Sequence, residues 1–418
     1  MRKEFRIVCL AGLMALGISK GQAPSPALAL FDEIVAHLQS DYVNPHNMNL
    51  QNITPPYRQE LERNCNGKTD CGYTIAEPVI RRLLESFKDP HLEMRSDSSQ
   101  PSTVVGGLAN SSRYGFRLAT QGTTLTVTHV QPASSSAESG IRVGDQITTI
   151  NGETVRDGQS ASQKLAQLET QGRWIELILE RANTAPIKLE VTPRLATSWP
   201  PTMRMLEDGT AVIVIPDFGD LGTTDQAVHD FISAGIKRGA KRFVLDLRLN
   251  EGGASYAAVS IAGIFLEHTG RIYQDKQGVR ETLTYDAGKL AYTISSEPKN
   301  VRRGEVVRPA RWKGPLAVLV SSTTVSAGEN LADLLQAKQR ALIVGEPTAG
   351  ALGTSTGLVA LRNSRSLLYA AKRYSGLDGR PCPTKITPDI NVTSDLQALH
   401  AGHDNVLDVA RTKLTVNK

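Results

Sequence analysis

Apolar residues in the first part of the chain recur every three or four positions, which is the spacing of an amphipathic helix. Residues 30–95 have this helical pattern in two parts, and the second part stops at Pro90, which cannot continue a helix. It predicts two or more helices, whose buried faces would be formed by Leu30, Phe31, Ile34, Val35, Leu38, Val79, Leu83, Leu84 and Phe87.

Alternation of apolar and polar residues replaces this spacing over about residues 104–194, and it indicates strands. The clearest stretches are residues 125–130 and 174–179, and residues 160–168 between them have the pattern of one amphipathic helix. A Ser/Gly-rich linker over 96–107 separates this strand-rich segment from the helical one. These observations predict a small β-barrel that carries a helix.

From residue 198 onward, strands and helices alternate along the chain. The predicted strands are 212–215, 243–247, 316–320 and 341–344, and the predicted helices are 223–238, 254–265 and 328–337. This rhythm is typical of a layered α/β sheet with crossover helices. A last helix is expected from Gly402 to Lys413.

Two strand ends in this last region have the residues needed for acyl transfer. The strand 243–247 leads into Gly252-Gly253, where backbone N–H groups can approach a carbonyl oxygen closely. The strand 316–320 leads into Ser326-Ala327, at the start of a helix, where a hydroxyl and an N–H can point the same way. The alternatives are a plain tight turn at the glycines and an ordinary helix cap at Ser326, since Glu329 completes a capping box.

Five collinear motifs make the chain resemble the C-terminal processing serine peptidases of family S41 over about residues 75–415. They are the two strand ends above, Asp89-Pro90-His91, a PDZ-like run from Pro132 to Gly152, and Val344 to Gly350 followed by Ile386 to Ile390. The resemblance implies a multidomain α+β protein with a helical segment, a PDZ-like β-barrel and a ClpP/crotonase-like core. The expected divisions are 1–29 (signal peptide), 30–100 (helices), 104–195 (PDZ-like) and 198–418 (peptidase core).

The resemblance assigns Ser326 as nucleophile and the N–H groups of Gly252 and Ala327 as oxyanion donors. The family's lysine base, 25 residues after the serine, is replaced by Ala351. The tricorn-like branch uses a histidine instead, for which His91 is the counterpart; capping of the preceding helix is its alternative role. No carboxylate stands at the expected acid position, so the candidates for an acid or another base are Asp378, Glu346, Lys372 and Lys385.

The PDZ-like segment is expected to bind a polypeptide tail as an added strand. Its candidate contacts are Tyr114, Gly115, Phe116 and Leu118, and a spacer without a ligand is the alternative. The substrate implied is an unfolded or partly folded polypeptide. Self-association of the chain stays open.

Composition excludes other classes of function. The chain has 418 residues, 40% hydrophobic, and a net charge of +5 without a basic tract, which argues against nucleic-acid binding. The histidines are scattered rather than paired at metal-ligand spacing, and no phosphate-binding glycine loop is present. We therefore predict neither a metal nor a cofactor.

The N-terminus has a basic start followed by an apolar run, Ile7 to Ile18, too short to span a bilayer. It predicts a signal peptide cleaved after Ala27-Leu28-Ala29, with an uncleaved anchor as the alternative. The predicted location is the periplasm, cell envelope or extracellular space. In such a compartment Cys65 and Cys71 are expected to form a disulfide, which leaves Cys382 as a lone thiol.

Together these features predict an exported serine endopeptidase that cleaves through an acyl-enzyme on Ser326. The competing hypothesis is an inactive, peptidase-like peptide-binding protein, because the lysine is absent and the acid is not located. An acyl hydrolase that does not act on peptides has little support in the sequence.

Overall fold

The computed structural model describes residues 25–66, 68, 70–95, 112–195, 199–219 and 222–416. The helices are α1 (Pro26–Ser40), α2 (Leu50–Cys65), α3 (Tyr73–Glu85), α4 (Ser135–Glu138), α5 (Gly158–Thr170), α6 (Thr224–Lys237), α7 (Ser255–Gly263), α8 (Ala327–Gln336), α9 (Leu396–His400) and α10 (Asn405–Val416). The first ten strands are β1 (Glu93–Arg95), β2 (Ser112–Arg113), β3 (Phe116–Gln121), β4 (Thr124–Val130), β5 (Gln146–Ile150), β6 (Glu153–Thr154), β7 (Ile175–Glu180), β8 (Ile187–Val191), β9 (Arg194–Leu195) and β10 (Thr202–Met205). The others are β11 (Thr210–Val214), β12 (Arg242–Asp246), β13 (His268–Asp275), β14 (Arg280–Asp286), β15 (Lys289–Ile294), β16 (Arg302–Glu305), β17 (Leu316–Val320), β18 (Leu342–Gly345), β19 (Thr354–Leu361), β20 (Arg365–Gly376) and β21 (Ile390–Asn391).

A six-stranded sheet in the order β10-β11-β12-β17-β18-β21 forms the centre of the C-terminal region; it is parallel except for the edge strand β10, which pairs antiparallel with β11. Strand β17 is a continuous apolar run and β12 has an apolar centre, and both are buried, as expected where helices cover a parallel sheet. Helices α6, α7 and α8 make the crossovers, and α10 packs against the sheet with its own apolar cluster. The carboxyl ends of β12 and β17, which are neighbours in the sheet, thereby bring the two motif-bearing turns together.

A second sheet, β1-β20-β13-β14-β15-β16 with β19 beside β20, packs against α7. Helices α1, α2 and α3 pack on β19 and β20 and form a separate apolar cluster. Strand β1 belongs to the N-terminal segment but pairs with β20, with Met94 opposite Leu367. The N-terminal helices are therefore joined to the catalytic region by main-chain hydrogen bonds as well as by packing.

The PDZ-like segment is a sheet in the order β3-β4-β5-β7-β8, with β6 beside β5. Helix α5 packs on β3 and β4, and the core between them contains Leu125, Val127, Ile147 and Leu177. Among the described residues no pairing joins β3 to β8, so this sheet is open rather than a closed barrel. The predicted combination of a helical N-terminal part, a PDZ-like segment and a layered α/β core is otherwise confirmed.

The predicted signal cleavage site falls on an ordered element. Ala27 is fully buried in the first turn of α1, and its N–H donates to the carbonyl of Cys71 at 3.0 Å. Ser25 caps the same helix, since its hydroxyl accepts from the N–H of Leu28. A cut after Ala29 would remove this turn. Residues 1–24 and the predicted linker 96–107 lie outside the described residues.

Cys65 and Cys71 form a disulfide that connects the end of α2 to the segment before α3, with their Cα atoms 5.3 Å apart. Cys382 is a free thiol. Within the described ranges no helix has the length and apolar character needed to cross a membrane.

Candidate active site

The turn between β17 and α8 holds Ser326 in an unusual backbone conformation. Its φ is 54° and its ψ is −112°, close to the values at the first central position of a type II′ turn. Residues other than glycine rarely adopt this conformation. Gly252 lies directly against it: a Cβ on Gly252 would be 2.9 Å from the Cβ of Ser326. The half-buried Ser326 side chain is thus held beside the Gly252-Gly253 turn, as the two motifs predicted.

Glu329, one turn into α8, organises the backbone around Ser326. One carboxylate oxygen accepts from the N–H groups of Ser326 (2.8 Å) and Ala351 (2.9 Å). The other accepts from the Thr348 hydroxyl (2.5 Å) and the N–H of Gly350 (2.9 Å). The residue is fully buried, and burial raises its pKa although these hydrogen bonds lower it. Sequence reasoning treated Glu329 only as a helix cap; the capping-box spacing was the one signal of this wider role.

Asn250 shapes the Gly252-Gly253 turn from inside. Its fully buried amide donates to the carbonyl of Ile215 at 2.9 Å and accepts from the N–H of Gly252 at 3.0 Å. The N–H groups of Gly253 and Ala327 have no hydrogen-bond partner within the described residues. In this conformation, therefore, Ala327 and Gly253 have free donors at the turn, and the donor of Gly252 is engaged.

Hydrogen bonds tie the two turns into one unit. The N–H of Val325 donates to the carbonyl of Asn250 at 2.9 Å, and the Thr324 hydroxyl donates to the carbonyl of Leu247 at 2.8 Å. Because each bond crosses from one turn to the other, the position of Ser326 relative to the glycines is fixed by the backbone.

Ala351, which stands in place of the family's lysine, is buried and adjoins this unit through its N–H bond to Glu329. No ammonium group can occupy that position. A base for Ser326 must therefore come from elsewhere in the chain.

His91 reaches the catalytic region because β1, two residues later, pairs with β20. It is buried, and its Nδ1 lies 2.9 Å from the hydroxyl of Thr354, at the start of β19. Its Nε2 is buried without a hydrogen-bond partner in the described part of the chain. Burial lowers the pKa of His91, and the negative charge of Asp89, whose carboxylate accepts from the backbone N–H of His91 at 2.9 Å, opposes this only in part.

No hydrogen bond joins His91 to Ser326. A short stretch of backbone connects the two residues instead. The N–H of Ala351 donates to Glu329, which also accepts from the N–H of Ser326, and Thr354, three residues after Ala351, is hydrogen-bonded to His91. The imidazole is neutral near pH 7, because burial disfavours its charged form.

The other candidate acids and bases form ion pairs elsewhere or are at least partly exposed. Asp378 is exposed and forms an ion pair with Lys338 at 3.2 Å. Glu346 is half-buried just after β18. Lys372 pairs with Glu281 at 2.5 Å, and its backbone lies opposite Ser355. Lys385 is exposed. None of the four makes a hydrogen bond to Ser326.

The predicted peptide-binding residues lie at the start of β3, which is at the end of its sheet with β4 as its one neighbour among the described strands. Tyr114 is buried, and its hydroxyl donates to the carbonyl of Arg173 at 2.6 Å. Gly115 has φ 89°, and a Cβ there would be 2.2 Å from that of Ser134, so only glycine fits. Phe116 is buried at the edge of this core and Leu118 is half-buried. Among the described strands, β3 therefore has an unpaired edge.

Charged groups connect β3 and β4 to the active-site turns. Arg117 on β3 pairs with Glu251, next to Gly252, at 3.0 Å. Arg248 bridges Asp246 at 2.6 Å and Asp404 at 2.7 Å. His129 on β4 is close to this group, and burial lowers its pKa to about 4. The PDZ-like segment therefore touches the loop that precedes the glycines.

Within the same described residues, no cluster of three or more His, Cys, Asp or Glu side chains could hold a metal ion.

Comparison with known proteins agrees with this geometry. Residues 209–392 match peptidase family S41, and residues 126–178 match a PDZ domain. The carboxy-terminal processing protease CtpA of Bacillus subtilis is 24% identical over 277 residues, which are 66% of this chain and 55% of that protein. A carboxyl-terminal-processing protease of Synechocystis is 26% identical over 388 residues, 89% of this chain and 83% of its own length.

Solved structures show the same fold. The photosystem II D1 C-terminal processing protease is 21% identical, with a TM-score of 0.50 and 92% of this chain and 99% of its own covered. A candidate S41 protease from Bacteroides fragilis is 14% identical, with a TM-score of 0.63 and coverages of 92% and 97%.

Proposed function

Because the chain belongs to peptidase family S41 and carries a PDZ domain, we propose that it is an exported serine endopeptidase acting on unfolded or partly folded polypeptides. The observation that carries the proposal is the strained Ser326 turn, placed against the Gly252-Gly253 turn with the N–H of Ala327 free. An ordinary helix cap needs neither a positive φ nor a glycine at this distance.

The reaction begins when the Ser326 hydroxyl attacks the scissile carbonyl and its proton passes to His91. The N–H of Ala327 and an N–H of the Gly252-Gly253 turn stabilise the oxyanion. His91 then gives the proton to the leaving amine, and the acyl group stays on Ser326 as an ester. A water molecule, deprotonated by His91, releases the acyl group and restores the serine.

A histidine with a lowered pKa suits this role. The neutral ring is present at pH 7, and its buried Nε2 has no competing partner in the described residues. Since no hydrogen bond joins His91 to Ser326 here, a rearrangement that brings the imidazole to the Ser326 hydroxyl is part of the proposal. The substrate tail would bind along the free edge of β3 and reach the site beside the Arg117–Glu251 pair.

The test is proteolysis of a reduced, unfolded protein by residues 25–418, which keep α1 intact. Ser326→Ala should abolish cleavage, while the matched control Ser322→Ala, on an exposed residue of the same turn, should not. His91→Gln should lower the rate by at least about a hundredfold if the ring is the base. His46→Ala, on an exposed residue, is its control.

The pH profile separates the candidate bases. With His91, activity stays high from neutral pH down to the lowered pKa of the imidazole and then falls. A lysine base would instead require a higher pH for activity. If wild type fails to cleave at every pH and the variants behave alike, the chain is a peptide-binding protein instead.

A further inference from the structure

The hydrogen-bond partner of the His91 ring in the described part of the chain is a hydroxyl. Nδ1 of the ring lies 2.9 Å from Oγ1 of Thr354, and both residues are buried, each with 5% of its surface exposed. In a Ser-His-acid triad a carboxylate binds this ring nitrogen, fixes the tautomer and stabilises the imidazolium. The acid is the member of the triad that the sequence did not reveal, so the group bound to Nδ1 decides how this ring can act as a base.

The carboxylate nearest to His91 in the sequence, Asp89, is occupied by other donors. One of its oxygens accepts from the backbone N–H of His91 at 2.9 Å, and the other accepts from the hydroxyl of Tyr42 at 3.0 Å. Asp89 therefore holds the main chain of His91, and it acts on the ring only through its charge. The ring itself is oriented by Thr354.

Thr354 follows the loop that is bonded to the nucleophile's backbone. The N–H of Ala351, three residues earlier, shares the carboxylate of Glu329 with the N–H of Ser326. Strand β19 begins at Thr354, opposite Arg373 of β20, whose guanidinium is engaged by main-chain carbonyls. A β-bulge comes one residue later, and bulges commonly re-aim side chains beside active sites. The Thr354 hydroxyl is thus tied through Glu329 to the turn that carries Ser326.

Burial favours one of the two neutral forms of the ring. Nε2 is buried without a hydrogen-bond partner among the residues that the structure describes. A proton on Nε2 would leave a buried N–H donor unpaired, and such donors are rarer in proteins than unpaired acceptors. With the proton on Nδ1, the Thr354 hydroxyl accepts it and can direct its own proton into a bordering cavity of about 440 Å³, whose wall includes Ser375 and Thr384. This form has a basic lone pair at Nε2, as a base for Ser326 requires.

We propose that Thr354 is the positioning residue of His91, in the role that an acid has in the triad: its hydroxyl accepts the Nδ1 proton and keeps Nε2 as the basic nitrogen. When Nε2 takes the proton of the Ser326 hydroxyl, the Nδ1 proton stays on the ring and its bond to Thr354 becomes charge-assisted. Nε2 then passes its proton to the leaving amine, so no proton moves to Thr354. The assignment rests on the proposed function, because it names the partner of the base in that reaction.

Thr354→Val keeps the shape of the side chain and removes the hydroxyl. Because Thr354 contacts the base, kcat on casein, an unfolded protein, should fall about tenfold to a hundredfold, while KM changes less than about twofold. Thr354→Ser restores the hydroxyl, and its kcat should stay within about threefold of wild type. Thr356→Val, on a half-buried residue of the same strand, is the matched control and should have wild-type kcat.

The tautomer of His91 is measured independently of activity, by nitrogen NMR of isotope-labelled histidine at pH 7, with His91→Gln to assign the signals. We expect the proton on Nδ1 in wild type and in Thr354→Ser. In Thr354→Val we expect a mixture of the two neutral forms or a proton on Nε2.

Two results would overturn the assignment of Thr354 and leave the proposed function standing. One is a proton on Nε2 in wild type that still cleaves casein. The other is full activity of Thr354→Val beside an inactive His91→Gln. If wild type cleaves nothing, the proposed function fails, and the tautomers of wild type and Thr354→Val alone decide whether Thr354 orients the ring.

Discussion

Replacing Glu329 tests whether one buried carboxylate organises the active site. Its two oxygens accept four hydrogen bonds, from Ser326, Ala351, Gly350 and Thr348. Glutamine has the same shape but one acceptor oxygen instead of two, so two of the four donors face an amide NH₂ group.

The better orientation of the glutamine turns its NH₂ toward Thr348, because that hydroxyl can rotate and accept. Only the N–H of Gly350 then loses its acceptor, which costs about 1–3 kcal/mol of unfolding free energy. In the opposite orientation the N–H groups of Ser326 and Ala351 are both unpaired, at about 2–6 kcal/mol. Burial of the charged carboxylate is itself unfavourable, as its raised pKa shows, so we expect the lower range for Glu329→Gln.

Glu329→Ala removes the acceptor from three backbone N–H groups at once. The sum reaches about 3–9 kcal/mol, an upper value because water can enter the space that the side chain leaves. Ser326 then loses the bond that holds its turn, so cleavage should fall much further in Glu329→Ala than in Glu329→Gln.

Urea denaturation followed by circular dichroism measures both variants, and the rate on an unfolded protein measures activity. Glu346→Gln is the control, a half-buried carboxylate nearby, and should shift the unfolding free energy by less than about 0.5 kcal/mol. Wild-type stability and cleavage in both Glu329 variants would refute the reasoning.

Three further predictions concern stability. Burial lowers the pKa of His229 to about 4, and its Nδ1 accepts from a backbone N–H, so below pH 6.5 the unfolded chain binds the proton more readily than the folded one. The unfolding free energy should therefore fall by about 1.4 kcal/mol per pH unit between pH 6.5 and 4. His229→Gln should reduce that slope in acid-unfolding curves. Replacing both Cys65 and Cys71 by serine removes the disulfide that closes a short loop and should lower the unfolding free energy by about 2 kcal/mol. Adding a reductant should not change the unfolding free energy of this double variant. Arg271 is buried and forms an ion pair with Asp333, which also pairs with Arg380, so Arg271→Met leaves the Asp333 charge one partner and should cost about 1–3 kcal/mol in urea denaturation; a loss well above this range would contradict the argument that Arg380 holds that charge.

Local patterns were sufficient to predict the strands of the central sheet and the turns at their ends. Residues 316–320 are an uninterrupted apolar run and residues 243–247 are apolar except for Asp246, and the structure has buried strands at both places. The pattern placed each turn at the carboxyl end of a strand, and the resemblance to family S41 brought the two turns together; the structure has these strands as parallel neighbours, with Ser326 against Gly252.

Long-range pairings were beyond the reach of local patterns. The position of His91 depends on β1 pairing with β20, more than 270 residues away, and a three-residue strand gives almost no periodic signal. The role of Asn250 depends on a buried carbonyl from another strand, Ile215, which nothing near Asn250 in the sequence indicates. Whether the PDZ-like sheet closes into a barrel likewise depends on which strand edges pair, which local patterns do not indicate.

The backbone conformation of Ser326 bears on whether the chain is under a stability–activity trade-off. A residue with a side chain at φ 54° and ψ −112° costs about 1–3 kcal/mol relative to an unstrained one, and glycine avoids most of that cost. Ser326→Gly should therefore be both inactive and more stable than Ser326→Ala, which keeps the Cβ and the strain. A protein that only held peptides would gain stability from glycine at this position and lose nothing. The serine thus marks the point where this chain gives up stability for a hydroxyl in one fixed direction.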